Sequence, residues 1–170
     1  MKERKVFMKT AVKRILAVCM ALILAGGIST VSSAKVQGYY FKNGGVSVTM
    51  DSAAKKFISK AGAPEKTKVK KSCAYKGKDR TYQYKNFILY TYTNSEKGAE
   101  YVQGISFRNK SVSTSEGVKI GSAESLVTKK YGKATPNFGI YTYIKGNTKL
   151  QIEVTDGKVT NIRYTANKVK

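Results

Sequence analysis

"GVSVTMDSAAKKFISKAGAP", Gly45 to Pro64, returns further along the chain as "GVKIGSAESLVTKKYGKATP", Gly117 to Pro136. In the first copy Val46 and Val48 alternate with polar residues, which predicts a short strand. Asp51 or Ser52 is the expected helix N-cap. Ala54, Phe57, Ile58 and Ala61 then fall at i, i+3, i+4 and i+7, an apolar stripe with lysines opposite. Gly62 offers a left-handed C-cap, and Pro64 blocks continuation. The second copy repeats each device: Val118 and Ile120 alternate, Ser122 is the expected N-cap, and Ala123, Leu126, Val127 and Tyr131 form the stripe. Gly132 closes the helix and Pro136 follows. Helices of about ten residues do not persist alone in water, so both must lie on a sheet.

Strand patterns follow each helix. "RTYQYKNFILYTYT", Arg80 to Thr93, reads as two strands around a Lys85-Asn86 turn, and "YVQGISF", Tyr101 to Phe107, as a third with Tyr101, Ile105 and Phe107 on one face. In the second half "IYTYI" turns through "KGN" into "TKLQIEV", where Leu150, Ile152 and Val154 alternate. Asp156-Gly157 is a tight hairpin signal, and "KVTNIRYT" closes with Ile162 and Tyr164 in phase. The expected fold class is α+β: two tandem helix-plus-antiparallel-meander units sharing one sheet, with both helices on one face. Neither unit buries enough apolar surface alone, so the duplication would complete a core. The expected boundaries are a signal segment 1–34, an N-terminal extension 35–44, a first unit 45–110, a linker 111–116, a second unit 117–165 and a tail 166–170.

The N-terminus reads as a secretory signal. Residues 1–34 carry six bases and one acid, then an apolar run from Ile15 to Ile28, then "STVSSA". Cleavage is expected between Ala34 and Lys35. Lipidation at Cys19 is the alternative, disfavoured by Val18 where a small residue is wanted. The apolar run falls short of the roughly 20 residues of a membrane span, so no transmembrane span is expected in the mature form. Secretion is the expected localisation, with cell-wall association as its extension.

The whole chain is formally +22, and removing the +5 of residues 1–34 leaves +17 on residues 35–170. Such a surface is either a solvated lysine coat or an attraction to anionic polymers, outside a cell wall polymers or anionic lipid. Export argues against nucleic acid as the partner. Cys73 is the one cysteine beyond the signal, so no internal disulfide is expected; its thiol reads as a small half-buried group or as an intermolecular bridge. Histidine is absent, and with it any imidazole base for a cysteine or serine nucleophile.

Catalytic patterns are thin. "SAAK", Ser52 to Lys55, fits the S-x-x-K of serine β-lactamases, but no K-T-G or S-D-N accompanies it. The acids are scattered, and Asp51, Asp79 and Asp156 sit in cap or turn contexts. No metal cluster, phosphate loop or cofactor is expected. A pair of acids meeting only in space would make a cell-wall hydrolase, the third reading. The binding candidates are the strand tyrosines Tyr82, Tyr84, Tyr90, Tyr92, Tyr141 and Tyr143. Tyrosine combines a large apolar ring with a polar tip, which suits protein interfaces, although β-propensity alone also explains it.

Duplicated helix–meander units of this size resemble the β-lactamase-inhibitor-protein-like (BLIP-like) fold and the single-unit SmpA/OmlA outer-membrane assembly lipoproteins. "SCAYKGKDRTYQYKNFILYTY", "GISFRNKSVSTSEGVKIG" and "KKYG" further resemble a group of secreted proteins and lipoproteins of Gram-positive anaerobes. The likeness spans Val46 to Tyr164 and specifies fold rather than chemistry. None of the inhibitor's loop residues can be matched, so inhibition does not carry over. What it implies is a concave, aromatic-lined sheet face that binds an extracellular protein or peptide. The expected function is therefore a secreted non-enzymatic binding protein, with retention on anionic wall polymers as the alternative.

Overall fold

Two short helices form where the apolar stripes were read, α1 at Lys55–Ala61 and α2 at Glu124–Tyr131, in a computed structural model that describes residues 38–167. The expected signal segment, its cleavage point at Ala34 and Lys35, Cys19, and residues 168–170 lie outside the described residues. Each helix stops at a glycine with positive φ, Gly62 at +83° and Gly132 at +92°. Their ψ values, −167° and 167°, place them in an extended region that only glycine enters freely, not in the left-handed helical cap expected.

The expected N-caps are corrected. Neither helix has a side-chain cap, and the residues at the cap positions are Ala54 and Ala123. Ser52 donates to the Thr49 carbonyl at 2.7 Å, and the Ser122 hydroxyl accepts from the Lys119 amide at 3.0 Å. Asp51, at a φ of +58°, and Ser52 lie in a turn and bend whose backbone pairs with Val102 instead.

Among the described residues there are nine strands: β1 Phe41–Asn43, β2 Val46–Val48, β3 Lys66–Lys71, β4 Lys78–Gln83, β5 Phe87–Thr93, β6 Glu100–Phe107, β7 Ile140–Lys145, β8 Thr148–Thr155 and β9 Lys158–Ala166. β1 and β2 form a two-stranded ribbon, and the other seven form one antiparallel sheet in the order β3-β4-β5-β6-β9-β8-β7. Two meanders therefore meet at β6 and β9. β3, "KTKVKK", has no apolar alternation and was not foreseen. All six of its residues are exposed, and a lysine-rich edge resists pairing with other chains.

The register decides which residues share a face, because directly opposed side chains point the same way. One row runs Tyr82, Leu89, Ile105, Tyr164, Leu150, Tyr143 across six strands. Its four central members are fully buried, in one core with Phe57 of α1 and Val127 of α2. Both helices thus pack on this face. A bulge between Tyr90 and Thr91 shifts the pairing with β6, so Val102 is fully buried and the expected grouping of Tyr101 with Ile105 and Phe107 is broken.

The segment expected as an N-terminal extension belongs to the core. Phe41 of β1 is fully buried, with ring centroids 5.1 Å from Phe87, 5.4 Å from Phe107, 6.0 Å from Phe57 and 6.4 Å from Tyr164. It bridges rings from β5, β6, β9 and α1. Replacing Phe41 with Ala is expected to cost about 3–5 kcal/mol, read as an earlier midpoint in urea unfolding.

Phe138 is the opposite case, 96% exposed. It and Gly139 form a two-residue turn with φ of +47° and +77°, closed by hydrogen bonds of 3.1 and 2.9 Å between Asn137 and Ile140. Asn-Gly is the pair such a turn prefers. Phe138→Asn gives up no packing and relieves about 1 kcal/mol of left-handed strain. Thermal unfolding is expected to shift up by about 2–5 °C.

Candidate functional site

Side chains at the alternate positions of the same strands face away from the helices. One such row runs Lys68, Thr81, Tyr90, Gly104, Thr165, Lys149, Ile144; the next runs Lys66, Gln83, Ile88, Ser106, Arg163, Gln151, Thr142. Among the described residues no helix covers this face. Gly104 interrupts the first row at the seam between β6 and β9. A Cβ there would stand 2.9 Å from the Tyr164 carbonyl oxygen, so the strands approach this closely only because residue 104 is glycine.

An open cleft of about 560 Å³ lies over the seam, with Gly104 in its floor. Tyr90, half-buried, walls one side, and Lys149 and Arg163 stand on the other. Gln103 and Asn167 add amide groups, and Ala74 contributes from the β3–β4 loop. That loop is held down by Tyr75, whose ring stacks on Tyr92 at 4.6 Å. Arg163 Nε donates to Ser106 Oγ at 3.2 Å. Thr165 Oγ1 is buried and has no hydrogen-bond partner among the described residues.

Of the six tyrosines read as binding candidates, the structure turns four toward the helices, which corrects the expectation that they line the open face. Tyr82 is half-buried, and its hydroxyl donates to Glu100 Oε1 at 2.9 Å. Tyr84 is buried and stacks on Phe87 at 4.7 Å. Tyr141 is buried and donates to the Glu124 carboxylate; Tyr143 is buried and donates to the Gly132 carbonyl at 3.0 Å. Tyr92 shares the open face with Tyr90 but lies under Tyr75, its hydroxyl donating to Asp51 Oδ1 at 3.0 Å. Tyr90 alone of the six lines the cleft. Gly104, Lys149, Arg163 and Thr165 were not singled out in the sequence. The only local signal was a glycine inside a strand pattern, "YVQGISF", which marks a bulge or a close backbone approach.

The remaining motifs are also placed. Helix α1 begins at Lys55, so Ser52 and Lys55 do not share a helical face. Cys73 is an exposed free thiol in the β3–β4 loop. Among the described residues no group of three His, Cys, Asp or Glu side chains gathers to hold a metal ion, and no helix is long and apolar enough to cross a membrane. The chain matches no protein-family model, no curated protein and no solved structure.

A second polar cluster sits on the helix-side face. Glu100 accepts from Tyr82 and Thr91, and Arg80 Nη1 stands 3.7 Å from Glu100 Oε2. Burial, reinforced by the hydrogen bond to Glu100, pushes the Tyr82 phenol up to about 12. A raised folded value means that the neutral phenol is favoured by folding. That stabilisation is full below the ordinary tyrosine pKa of about 10 and fades as pH rises through the folded value. In Glu100→Gln, absorbance titration at 295 nm is expected to show Tyr82 ionising at lower pH than in the wild type, with a downward shift of Tyr84 as well, whose phenol the Glu100 charge also holds up. Both should still lie above the ordinary value, because burial remains.

Proposed function

We propose that this chain is a secreted, non-enzymatic binding protein that engages a protein or peptide partner through the open face of its seven-stranded sheet. The observation that carries the reading is the cleft over the β6–β9 seam, a concavity with an aromatic wall, two basic side chains and the buried hydroxyl of Thr165, which has no partner among the described residues. Ligand sites favour concave, largely apolar clefts with a few placed polar groups.

The same proposal includes a tandem BLIP-like architecture. Its support is a matched set of hydrogen bonds. Asp51 N donates to Val102 O, Val102 N to Ser52 O, and Ala54 N to Glu100 O. Gly121 N donates to Val159 O, Val159 N to Ser122 O, and Glu124 N to Gly157 O. Each helix entry is thus strapped to the last strand of its own meander, and the two straps begin at positive φ, Asp51 at +58° and Gly121 at +88°.

Retention on anionic wall polymers is the second reading. Lys66, Lys68 and Lys70 share the open face of the exposed strand β3, and Asp79 stands 4.0 Å from Lys70 as a partial counter-charge. Polymer binding of that kind is screened by salt.

The two readings separate in a capture experiment on envelope and culture-fluid extracts at low and high salt. Wild-type protein is expected to retain a discrete protein at high salt, and Tyr90→Ser to lose it while keeping its thermal midpoint. Tyr143→Ser, whose hydroxyl bonds within the helix-side face, is expected to lower the midpoint instead. Capture indifferent to Tyr90→Ser would overturn the open-face reading. Retention of anionic polymer alone, released as salt rises, would put the lysine surface in its place.

A further inference from the structure

We infer that the cleft over the β6–β9 seam seats an acidic side chain of an extended peptide segment, with Arg163 and Lys149 receiving its carboxylate and Tyr90 receiving an apolar neighbour. This rests on the open-face reading and names the chemistry of the partner.

The argument begins with charge. Among the described residues that line the cleft none is acidic, and two are basic. The open-face acid Glu153 lies one row along β8 from Gln151, the partner of Arg163. It lines a shallow dimple beyond Arg163 and forms no ion pair with it. An anionic group entering the cleft therefore meets uncompensated cations.

Geometry narrows the anion. The Ser106 hydroxyl holds Arg163 by Nε, while its other guanidinium N–H groups meet no acceptor among the described residues. A guanidinium fixed through Nε presents a planar fork, the shape that receives a carboxylate through two parallel hydrogen bonds. Lys149, one strand from Thr165 in the adjoining row, supplies a second, mobile charge. The buried, unpartnered hydroxyl of Thr165 lies between Gly104 and Lys149 in that row.

Spacing then favours an extended peptide. Tyr90, Gly104, Thr165 and Lys149 lie on four neighbouring strands, and strands are about 4.8 Å apart, so Tyr90 and Lys149 are separated by about 14 Å. Side chains on one side of an extended segment recur at about 6.7 Å, and so again at about 13.5 Å. A peptide laid across the seam would set an apolar side chain on Tyr90 and an acidic one, two or four residues away, at Lys149 and Arg163. Glycine at 104 lets its backbone approach the floor.

The test is selection of a random-peptide display library on the immobilised full-length secreted protein, followed by titration of the enriched synthetic peptides. Enriched peptides are expected to carry Asp or Glu two or four residues from an aromatic or aliphatic residue. Arg163→Glu and Lys149→Glu are each expected to weaken binding at least tenfold. Both residues lie outside the core, and circular dichroism checks that the fold is kept. Replacing the peptide's acid with lysine should restore binding to Arg163→Glu, a recovery that a merely structural role for Arg163 would not give. Peptides that bind through Tyr90 without an acid, or that ignore both charge reversals, would overturn this inference and leave the open-face reading standing. If no peptide is enriched while glycerol-phosphate polymer binds and is released by salt, both fall.

Discussion

The whole sheet depends on a seam three residue pairs long. Gly104–Thr165, Ile105–Tyr164 and Ser106–Arg163 are the pairings that join the two meanders. On the helix side, Phe41 closes the seam by packing against Phe107 from β6 and Tyr164 from β9. On the other side, Gly104 lets the backbones meet and leaves its own place empty. Joint and cleft thus share one residue. A residue with a Cβ at 104 would press on the Tyr164 carbonyl and protrude into the cleft floor between Tyr90 and Thr165.

The helices, their glycine stops and most strands were legible because each carries a local signal: an apolar stripe of period 3.6, a period-two alternation, or a turn dipeptide such as Asp156-Gly157. The failures share a physical cause. Strand β3 lacks alternation because it is exposed along its length, so burial never imposed a pattern on it. Asp51 and Ser52 look like caps locally, but backbone pairing to β6 outcompetes capping. The segment around Phe41 reads as an extension because its partners lie far along the chain, at Phe87, Phe107 and Tyr164.

The tyrosines show the same limit more sharply. Alternation says that Tyr82 and Tyr84 share a face, and likewise Tyr141 and Tyr143, but not which face. Each hairpin sets its tyrosines opposite an apolar partner, Tyr82 with Leu89 and Tyr143 with Leu150, but the two halves are placed on one common face only by the long-range pairing of Ile105 with Tyr164. A one-residue bulge then inverts the relation between Tyr101 and Ile105. The cleft was even less visible, since its floor is a glycine and its cations sit on strands whose apolar residues drew the eye. Only the three-dimensional meeting of β5, β6, β9 and β8 makes Tyr90, Gly104, Thr165 and Lys149 neighbours.

Turning tyrosines inward has an electrostatic consequence. A buried phenol needs an acceptor, and here carboxylates supply it: Asp51 for Tyr92, Glu100 for Tyr82, Glu116 for Tyr131 and Glu124 for Tyr141. Acids are scarce, ten in the whole chain against 32 bases. Those engaged with phenols are tied to the helix entries, the polar loop and the helix-side face, away from the cleft. Lys66, Lys68, Lys149 and Arg163 on the open face are left without ion-pair partners among the described residues. The packing that gives these four phenols their acceptors therefore also polarises the molecule, while the buried hydroxyls of Tyr84 and Tyr164 have no hydrogen-bond partner among the described residues. A surface polarised in this way repels cationic partners and draws acidic ones before any contact is made. The aromatic content and the positive charge, which look like separate compositional facts, are two sides of one arrangement.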